Sequence, residues 1–232
     1  MVRRLLPGRR PLFPEPRSVR LDPDGFAFVG GDLTPETLLE AFSKGFFPWD
    51  GNKPYPWFSP DPRLVLFPHC FRASHSLRKL ARQGKLEVTY DTDIEAVVRA
   101  CGDTPRPGQA GTWVSTRYVS VYRRLREMGV GHSVEVREDG RLVGGLFGIA
   151  VGKVFFGESM FAWRRDASKL GFYDLCLRLS AAGYHLVDCQ AETPHLRSLG
   201  AELIPRREYL DRVQVAWAEP DGWADAMAAP GV

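Results

Sequence analysis

Two polar side chains follow an apolar run in the segment Leu186-Val-Asp-Cys-Gln190. Residues two apart on a β-strand point to the same face, so a strand here would project Asp188 and Gln190 side by side, with Cys189 opposite. Buried polar groups are costly unless they are paired or used, which makes this pair a candidate functional cluster. A strand end that emerges into solvent would also carry Asp and Gln, and the residues alone leave both interpretations open.

Glu158 is the only charge in a second strand-like apolar run. A carboxylate in such a setting tends towards a raised pKa unless Arg or Lys pairs with it. A functional carboxylate and a structural ion pair with Lys169 or Arg164 are the two interpretations. Strand alternation predicts that Phe156 and Met160 share the face of Glu158.

Trp49 and Trp113 stand beside turn-rich sequence rather than inside apolar runs. A tryptophan near a loop can close a pocket or stack on a base or a peptide, although it is as often part of the core. Ser168 has no partner in a recognisable nucleophile motif, which argues against covalent catalysis. Gly144-Gly145 is more typical of a bulge or close packing than of a phosphate-binding loop.

The composition is that of an ordinary globular protein, with 232 residues, 44% hydrophobic and 25% charged. No apolar run approaches the roughly 20 residues that span a bilayer, so we expect no membrane segment, and a signal peptide is not predicted. The four cysteines form no Cys-x-x-Cys pair, which favours reduced thiols and a cytoplasmic location. The spacing of the histidines matches no metal-ligand motif, so we predict no metal.

Positive charge is clustered although the net charge is only +3. One cluster, without any acid, lies within residues 63–85 and contains Arg63, Arg72, Arg78, Lys79, Arg82 and Lys85. A second lies within residues 117–126 and contains Arg117, Arg123, Arg124 and Arg126. Such clusters suit a docking surface for an anion such as RNA, or they are simply solvated helix faces.

The elements that must position these residues follow from periodicity, caps and turns. Residues 1–30 are expected to be irregular, and the prolines between Phe46 and Arg63 predict an irregular aromatic segment that forms one wall of a cleft. The tail from Glu219 to Val232 is expected to be partly disordered. Helices are predicted near 34–44, 74–82, 93–100, 116–128, 167–181 and 195–199, and strands near 86–90, 132–137, 142–150, 153–161 and 185–190, with a hairpin turn at Asp139-Gly140.

This order of elements predicts an α+β fold. We expect a small N-terminal domain over residues 1–62 and a mixed-sheet domain over residues 63–232. By analogy, the second domain is expected to be acetyltransferase-like (GNAT-like).

An ordered series of motifs resembles the bacterial leucyl/phenylalanyl-tRNA–protein transferases over nearly the whole chain. The motifs are Phe47-Pro-Trp49, Tyr55-Pro-Trp-Phe-Ser-Pro-Asp-Pro-Arg63, Ser76-Leu-Arg-Lys79, Thr112-Trp113, His132-Ser-Val-Glu135, Leu142-Val-Gly-Gly145, Phe156-Gly-Glu-Ser-Met-Phe161, Ala167-Ser-Lys169 and Asp188-Cys-Gln190. The resemblance implies transfer of Leu or Phe, with Met as a further candidate, from aminoacyl-tRNA to proteins that begin with Arg or Lys. It also implies that the product is marked for N-degron degradation and that no metal or coenzyme takes part.

The resemblance assigns roles residue by residue. Asp188 and Gln190 would be catalytic and orient the attacking amine, with Gln190 hydrogen bonding to it and Asp188 acting as a polariser. Glu158 and Asp188 would also bind the cationic acceptor. The pocket for the transferred side chain would be formed by Trp49, Trp113, Leu146, Met160, Phe172, Leu175 and Leu179. The acceptor stem of the tRNA would be held by Arg78, Lys79, Arg82 and Lys85, in a protein expected to be a monomer.

Two alternatives remain at this point. A coenzyme-A-dependent N-acyltransferase would need a glycine-containing turn before the long helix, and the turn from Trp163 to Lys169 contains no glycine. A non-catalytic RNA-binding module would use the basic helix and the tryptophans, and would not need Glu158, Asp188 or Gln190.

Overall fold

Two β-sheets and the helices packed on them form the computed structural model, which describes residues 4–5, 12–49, 53–105 and 114–232. The strands of the described residues are β1 Arg4–Leu5, β2 Phe26–Gly30, β3 Phe47–Pro48, β4 Pro56–Phe58, β5 Arg63–Leu66, β6 Glu87–Tyr90, β7 Gly131–Glu138, β8 Arg141–Val151, β9 Val154–Ala162, β10 Leu186–Gln190 and β11 Glu202–Ile204. The α-helices there are α1 Pro35–Ser43, α2 His75–Arg82, α3 Ile94–Asp103, α4 Thr116–Glu127, α5 Ala167–Ala181, α6 Pro194–Ser198, α7 Arg206–Ala218 and α8 Trp223–Ala228.

The smaller sheet has the order β1-β2-β4-β3. It corrects the expectation that residues 1–30 and the proline-rich segment contain no regular structure. Proline lacks an N–H donor but is tolerated at the first residue of a strand and on edge strands. Pro56 begins β4 and Pro48 ends the edge strand β3, so both positions satisfy that rule.

The larger sheet has seven strands in the order β11-β5-β10-β9-β8-β7-β6. Its pairs are antiparallel except for β9 and β10, which are parallel, so the sheet is mixed and the predicted α+β class is confirmed. The predicted hairpin is also confirmed as β7 and β8. Asp139 and Gly140 both have positive φ angles, 50° and 75°, as the two-residue turn requires.

Helix α5 lies across the larger sheet, and two glycines permit its close approach. A Cβ atom on Gly171 would lie 2.9 Å from Val136, and one on Gly144 would lie 2.6 Å from the Cβ atom of Ala167. These contacts are too short for real side chains, so α5 can pack at this depth only because neither residue has one.

One hydrophobic cluster crosses the predicted boundary at residues 62 and 63. Phe42 of α1 packs on Phe156 of β9 with ring centroids 4.9 Å apart, and both side chains belong to that cluster. The segment before the boundary is therefore in contact with the larger sheet, and the boundary itself stays a prediction.

The C-terminal tail is ordered, which corrects the expectation of partial disorder. Its helix α8 carries the buried Trp223, and Arg178 of α5 donates hydrogen bonds to the carbonyl oxygens of Met227 and Ala229 at 2.9 and 2.5 Å. The backbone N–H of Val232 donates to Asp174. These partners are distant in sequence, so local pattern could not reveal them. Over the described ranges, no helix is both long and apolar enough to cross a bilayer.

Candidate functional site

The larger sheet opens where β9 and β10 separate. Their parallel pairing ends at Asp188 opposite Phe156, although both strands continue beyond that point. A cavity of about 750 Å³ lies next to this opening, and its lining includes Gly157 to Met160 of β9 and Val187 to Gln190 of β10. Its volume falls within the usual range for small-molecule sites, so the opening is a candidate active site.

Glu158 lies in a β-bulge on the wall of this cavity. Phe147 pairs with Ser159 while Gly148 pairs with Gly157, which leaves Glu158 without a partner in the ladder. A bulge can redirect a side chain, and it also interrupts the alternation of faces.

The bulge corrects the prediction that Phe156, Glu158 and Met160 share one face. Phe156 packs in the first hydrophobic cluster, whereas Met160 packs against the second, on the other side of the sheet.

The carboxylate of Glu158 is buried without a basic partner among the described residues. The two cations considered for it pair elsewhere, Lys169 with Asp166 at 2.8 Å and Arg164 with Glu138 at 2.9 Å. Neither carboxylate oxygen of Glu158 has a described hydrogen-bond partner of ordinary geometry. Burial raises the pKa of Glu158 to about 8; the nearby Tyr122 hydroxyl opposes that rise and the Asp188 carboxylate adds to it.

Asp188 is fully buried and bound on both oxygens. Arg63 donates from Nε to Oδ1 at 2.8 Å and from Nη2 to Oδ2 at 2.6 Å. The hydroxyl of Tyr209 donates to Oδ2 at 2.8 Å, and the backbone N–H of Gln190 donates to Oδ1 at 2.9 Å. The carboxylate therefore sits in a closed hydrogen-bonded cluster rather than at a solvated strand end.

Arg63 and Tyr209 are the partners that sequence reasoning missed. The sequence places Arg63 in the basic cluster of residues 63–85, but its side chain is wholly buried, which corrects that assignment. Although burial opposes the charge, the facing Asp188 carboxylate leaves the pKa of Arg63 above its ordinary value. The apolar run Leu64-Val-Leu66 directly after Arg63 was the available signal, because a lone arginine beside a buried strand needs a buried acid.

Gln190 leaves the regular strand geometry. Asp188 pairs with Val65 and Gln190 with Leu64, so Cys189 is the extra residue of a bulge in β10. Gln190 has a φ angle of 65°, an uncommon conformation for a residue other than glycine. The alternation expected for Asp188 and Gln190 is therefore broken, and the two residues are connected by the backbone hydrogen bond instead. The side-chain Nε2 of Gln190 is buried on the cavity lining without a described partner.

The rest of the cavity wall is mainly apolar. Leu146, Met160 and Phe172 line it, and so does Trp49, which packs edge-on against Phe58 at 5.1 Å between ring centroids. Phe47, Pro48 and Trp49 supply one side, as expected for the aromatic segment.

Two predicted pocket residues are placed differently. Leu175 and Leu179 are buried in the second hydrophobic cluster and are not on the cavity lining. Trp113 lies outside the described residues.

Helix α6 forms a rim that the sequence did not suggest. Thr193 to Leu196 line the cavity there. Partial burial lowers the pKa of His195, with the charge of Lys169 acting in the same direction.

The two basic clusters differ in their surroundings. Arg78, Lys79, Arg82 and Lys85 are exposed on or just after α2 and form no ion pair with any described residue. On α4, Arg123 lies 3.6 Å from Glu95 and Arg124 lies 3.9 Å from Glu36. Ion pairs therefore neutralise less of the positive charge along α2 than along α4.

Family comparison places two consecutive matches on the chain. Residues 31–61 match the model described as leucyl/phenylalanyl-tRNA protein transferase N-terminal domain, and residues 65–214 match the model described as leucyl/phenylalanyl-tRNA protein transferase. Together they include both strands that form the opening and the aromatic segment beside it.

Similar proteins carry the same description. A leucyl/phenylalanyl-tRNA–protein transferase of Nitrosospira multiformis is 48% identical over 205 residues, which cover 88% of each chain. One from Pseudomonas putida strain W619 is 49% identical over 200 residues, covering 86% of this chain and 88% of the relative. One from Myxococcus xanthus is 46% identical over 222 residues, covering 94% of both.

Solved structures give more distant likenesses. A GCN5-related N-acetyltransferase from Kribbella flavida has a TM-score of 0.37 and 16% identity, covering 72% of this chain and 59% of that one. The C-terminal domain of a putative lysylphosphatidylglycerol synthetase from Agrobacterium fabrum has a TM-score of 0.37 and 14% identity, covering 86% and 63%. The fold assignment rests on the sheet described above.

Proposed function

The chain belongs to the leucyl/phenylalanyl-tRNA–protein transferase family and is therefore an aminoacyltransferase, and from this premise we propose its substrates and the use of the cavity. It transfers Leu or Phe, with Met as a third donor, from aminoacyl-tRNA to the α-amine of proteins that begin with Arg or Lys. The observation that carries this proposal is the cavity at the opening of the sheet, apolar along one wall and polar at Glu158 and Gln190.

The reaction needs orientation more than a nucleophilic side chain. The neutral α-amine attacks the ester carbonyl carbon of the aminoacyl-tRNA and forms a tetrahedral intermediate. The C–O bond to the 3′-terminal ribose then breaks, the new amide forms, and the proton lost by the amine ends on the ribose oxygen. Positioning of the two reactants supplies much of the rate in such a step.

Gln190 is proposed to act by hydrogen bonding. A glutamine amide is too weak a base to take the proton alone, but its unpartnered Nε2 can donate to an oxygen of the reacting group. Donors held at the place where charge develops stabilise the transition state.

Glu158 is proposed to receive the cationic side chain of the acceptor. Its carboxylate has no basic partner among the described residues and offers an ionic contact, and such a contact is strong inside a cavity with little water. Arg and Lys acceptors would favour the ionised form of this carboxyl group, and an acceptor that begins with Ala would not.

The wall of Leu146, Met160, Phe172 and Trp49 is proposed to hold the transferred side chain. A thioether side chain adapts to different shapes, so Met160 suits a pocket that takes both Leu and Phe. The remaining predicted roles, those of Trp113, Leu175 and Leu179, stay proposals.

Helix α2 is proposed to bind the tRNA. Arg78, Lys79, Arg82 and Lys85 present unpaired charge to solvent, and contacts to phosphates position a nucleic acid without reading its bases. The protein is proposed to act in the cytoplasm, because charged tRNA and nascent proteins meet in that compartment. It is also proposed to be a monomer and to mark its products for degradation.

A transfer assay tests the function. Radiolabelled leucine on its tRNA is offered to a peptide that begins with Arg and to a matched peptide that begins with Ala, and the donors are then exchanged for Phe and Met. Label is expected on the Arg peptide alone. Absence of transfer from all three donors, with tRNA binding intact, would favour an RNA-binding module and refute the proposal.

A further inference from the structure

The Asp188 carboxylate has no free position for a substrate. Oδ1 accepts from Arg63 and from the Gln190 backbone, and Oδ2 accepts from Arg63 and from Tyr209. The side chain is not exposed at all. Two acceptor sites per oxygen are thus occupied by the protein itself.

We propose that Arg63 and Tyr209 are positioning residues for the transfer reaction, acting through Asp188 on the backbone of Gln190, and that Asp188 itself contacts neither substrate. This inference rests on the proposed function, since it concerns the same reaction. Asp188 would then support Gln190 and would not itself touch the reacting atoms.

Arg63 is fixed from every side. Its guanidinium lies between the rings of Phe47 and Tyr209, 4.6 and 4.5 Å from their centroids. Its remaining Nη1 donates to the carbonyl oxygen of Gly45 at 3.2 Å. An arginine held by its forked donors and by two rings cannot turn, so the carboxylate that it binds has one orientation.

That orientation is transmitted to Gln190. A positive φ angle at a residue other than glycine costs free energy and persists only where the surroundings stabilise it. The hydrogen bond from the Gln190 N–H to Asp188 provides such stabilisation, at 2.9 Å. If the carboxylate shifts, the Gln190 backbone can relax and its Nε2 leaves its place on the cavity wall.

The hydrogen-bonded cluster of Arg63, Asp188 and Tyr209 also connects distant parts of the chain. Phe47 lines the cavity and covers Arg63, while Tyr209 comes from α7 on the far side of the carboxylate. Arg63 therefore supports both the aromatic wall of the cavity, through Phe47, and its polar end, through Asp188.

Tyr209→Phe is the sharpest test, because it removes one hydroxyl and keeps the ring over Arg63. Tyr184→Phe is the matched control: Tyr184 is buried, its hydroxyl has no described hydrogen-bond partner, and it is not on the cavity lining. Both variants and the wild type are compared for kcat and for KM of each substrate, below their unfolding temperatures.

We expect Tyr209→Phe to lower kcat about ten-fold while both KM values stay within about two-fold, because a small misplacement costs rate rather than binding. The control is expected to match the wild type. Arg63→Lys keeps the charge and loses the fork, and the same kcat-only defect is expected should Tyr209→Phe not fold.

Unchanged kcat in a folded Tyr209→Phe variant would overturn the proposal, and so would a rise in KM of either substrate with kcat intact, since that pattern indicates direct contact. A wild-type protein without transfer activity would instead refute the proposed function.

Discussion

Glu158 and Asp188 are two buried carboxylates with opposite environments. Asp188 meets an arginine, a tyrosine hydroxyl and a backbone N–H, whereas Glu158 lines the cavity with only the Tyr122 hydroxyl nearby and no basic partner among the described residues. Environment, rather than residue type, separates a supporting carboxylate from one that can exchange a proton or receive a cation.

The raised pKa of Glu158 makes a prediction about stability. The folded protein holds the proton of Glu158 up to about pH 8, whereas the unfolded chain releases it near the ordinary value of 4.5. Wild-type stability is therefore lost progressively as the pH rises through that window. Glu158→Gln removes the effect, so we expect it to stabilise the protein at pH 8 by about 3 to 5 kcal/mol and hardly at all at pH 4.5.

Urea unfolding of wild type and Glu158→Gln at a series of pH values measures this difference. Glu202→Gln is the control, since Glu202 is exposed on β11 and is expected to shift stability by less than about 0.5 kcal/mol at every pH. A Glu158→Gln difference that does not change with pH would contradict the account.

At the scale of elements, two basic helices of similar composition have different surroundings. Arg123 and Arg124 of α4 pair with Glu95 and Glu36, while the arginines of α2 form no ion pair in the described part of the chain. A face whose charge is not compensated attracts phosphates more strongly, so we expect α2 to be the better nucleic-acid surface.

A matched pair of double variants tests this difference. Arg78→Gln with Arg82→Gln on α2, and Arg123→Gln with Arg124→Gln on α4, each remove two exposed arginines. We expect the α2 variant to weaken tRNA binding about ten-fold and to reduce the slope of log affinity against log salt by about 1 to 2.

Filter binding of charged tRNA over a range of salt concentrations measures both the affinity and its dependence on salt. The α4 variant is expected to stay close to the wild type. Equal losses of tRNA affinity in the two variants would mean that the number of charges removed, and not the position of α2, determines binding.

Across the whole molecule, sequence reasoning found local features and missed distant partners. The Asp-Gly turn predicts the β7–β8 hairpin, and the helix expected over residues 167–181 matches α5. The bulge at Glu158, the burial of Arg63 and the contacts of the C-terminal tail depend on strands and helices far apart in the chain. Periodicity carries no information about such pairings, which is why strand alternation wrongly predicts one face for Phe156 and Met160.

The C-terminal helix offers a prediction at this scale. Trp223 stacks on His132 with centroids 3.8 Å apart and donates from Nε1 to Asp91 at 3.0 Å. Trp223→Ala leaves a cavity and an unpaired acceptor, so we expect a loss of about 3 to 5 kcal/mol of unfolding free energy. Because Trp223 is not on the cavity lining, the folded fraction is expected to keep its transfer activity.

Denaturant unfolding and specific activity of the folded fraction check both parts. Trp163→Ala serves as control, because that side chain is 59% exposed and its loss is expected to cost less than about 1 kcal/mol. Comparable destabilisation by the two substitutions would show that the tail does not support the fold.

Gln190→Ala provides a test of whether transfer takes place at the opening between β9 and β10. Leucyl-tRNA is bound to a moderate excess of the variant, a peptide that begins with Arg is added, and the single-turnover rate is recorded beside the tRNA dissociation constant. We expect an unchanged dissociation constant and a rate at least about ten-fold below that of the wild type. A wild-type rate in the folded variant would contradict this expectation.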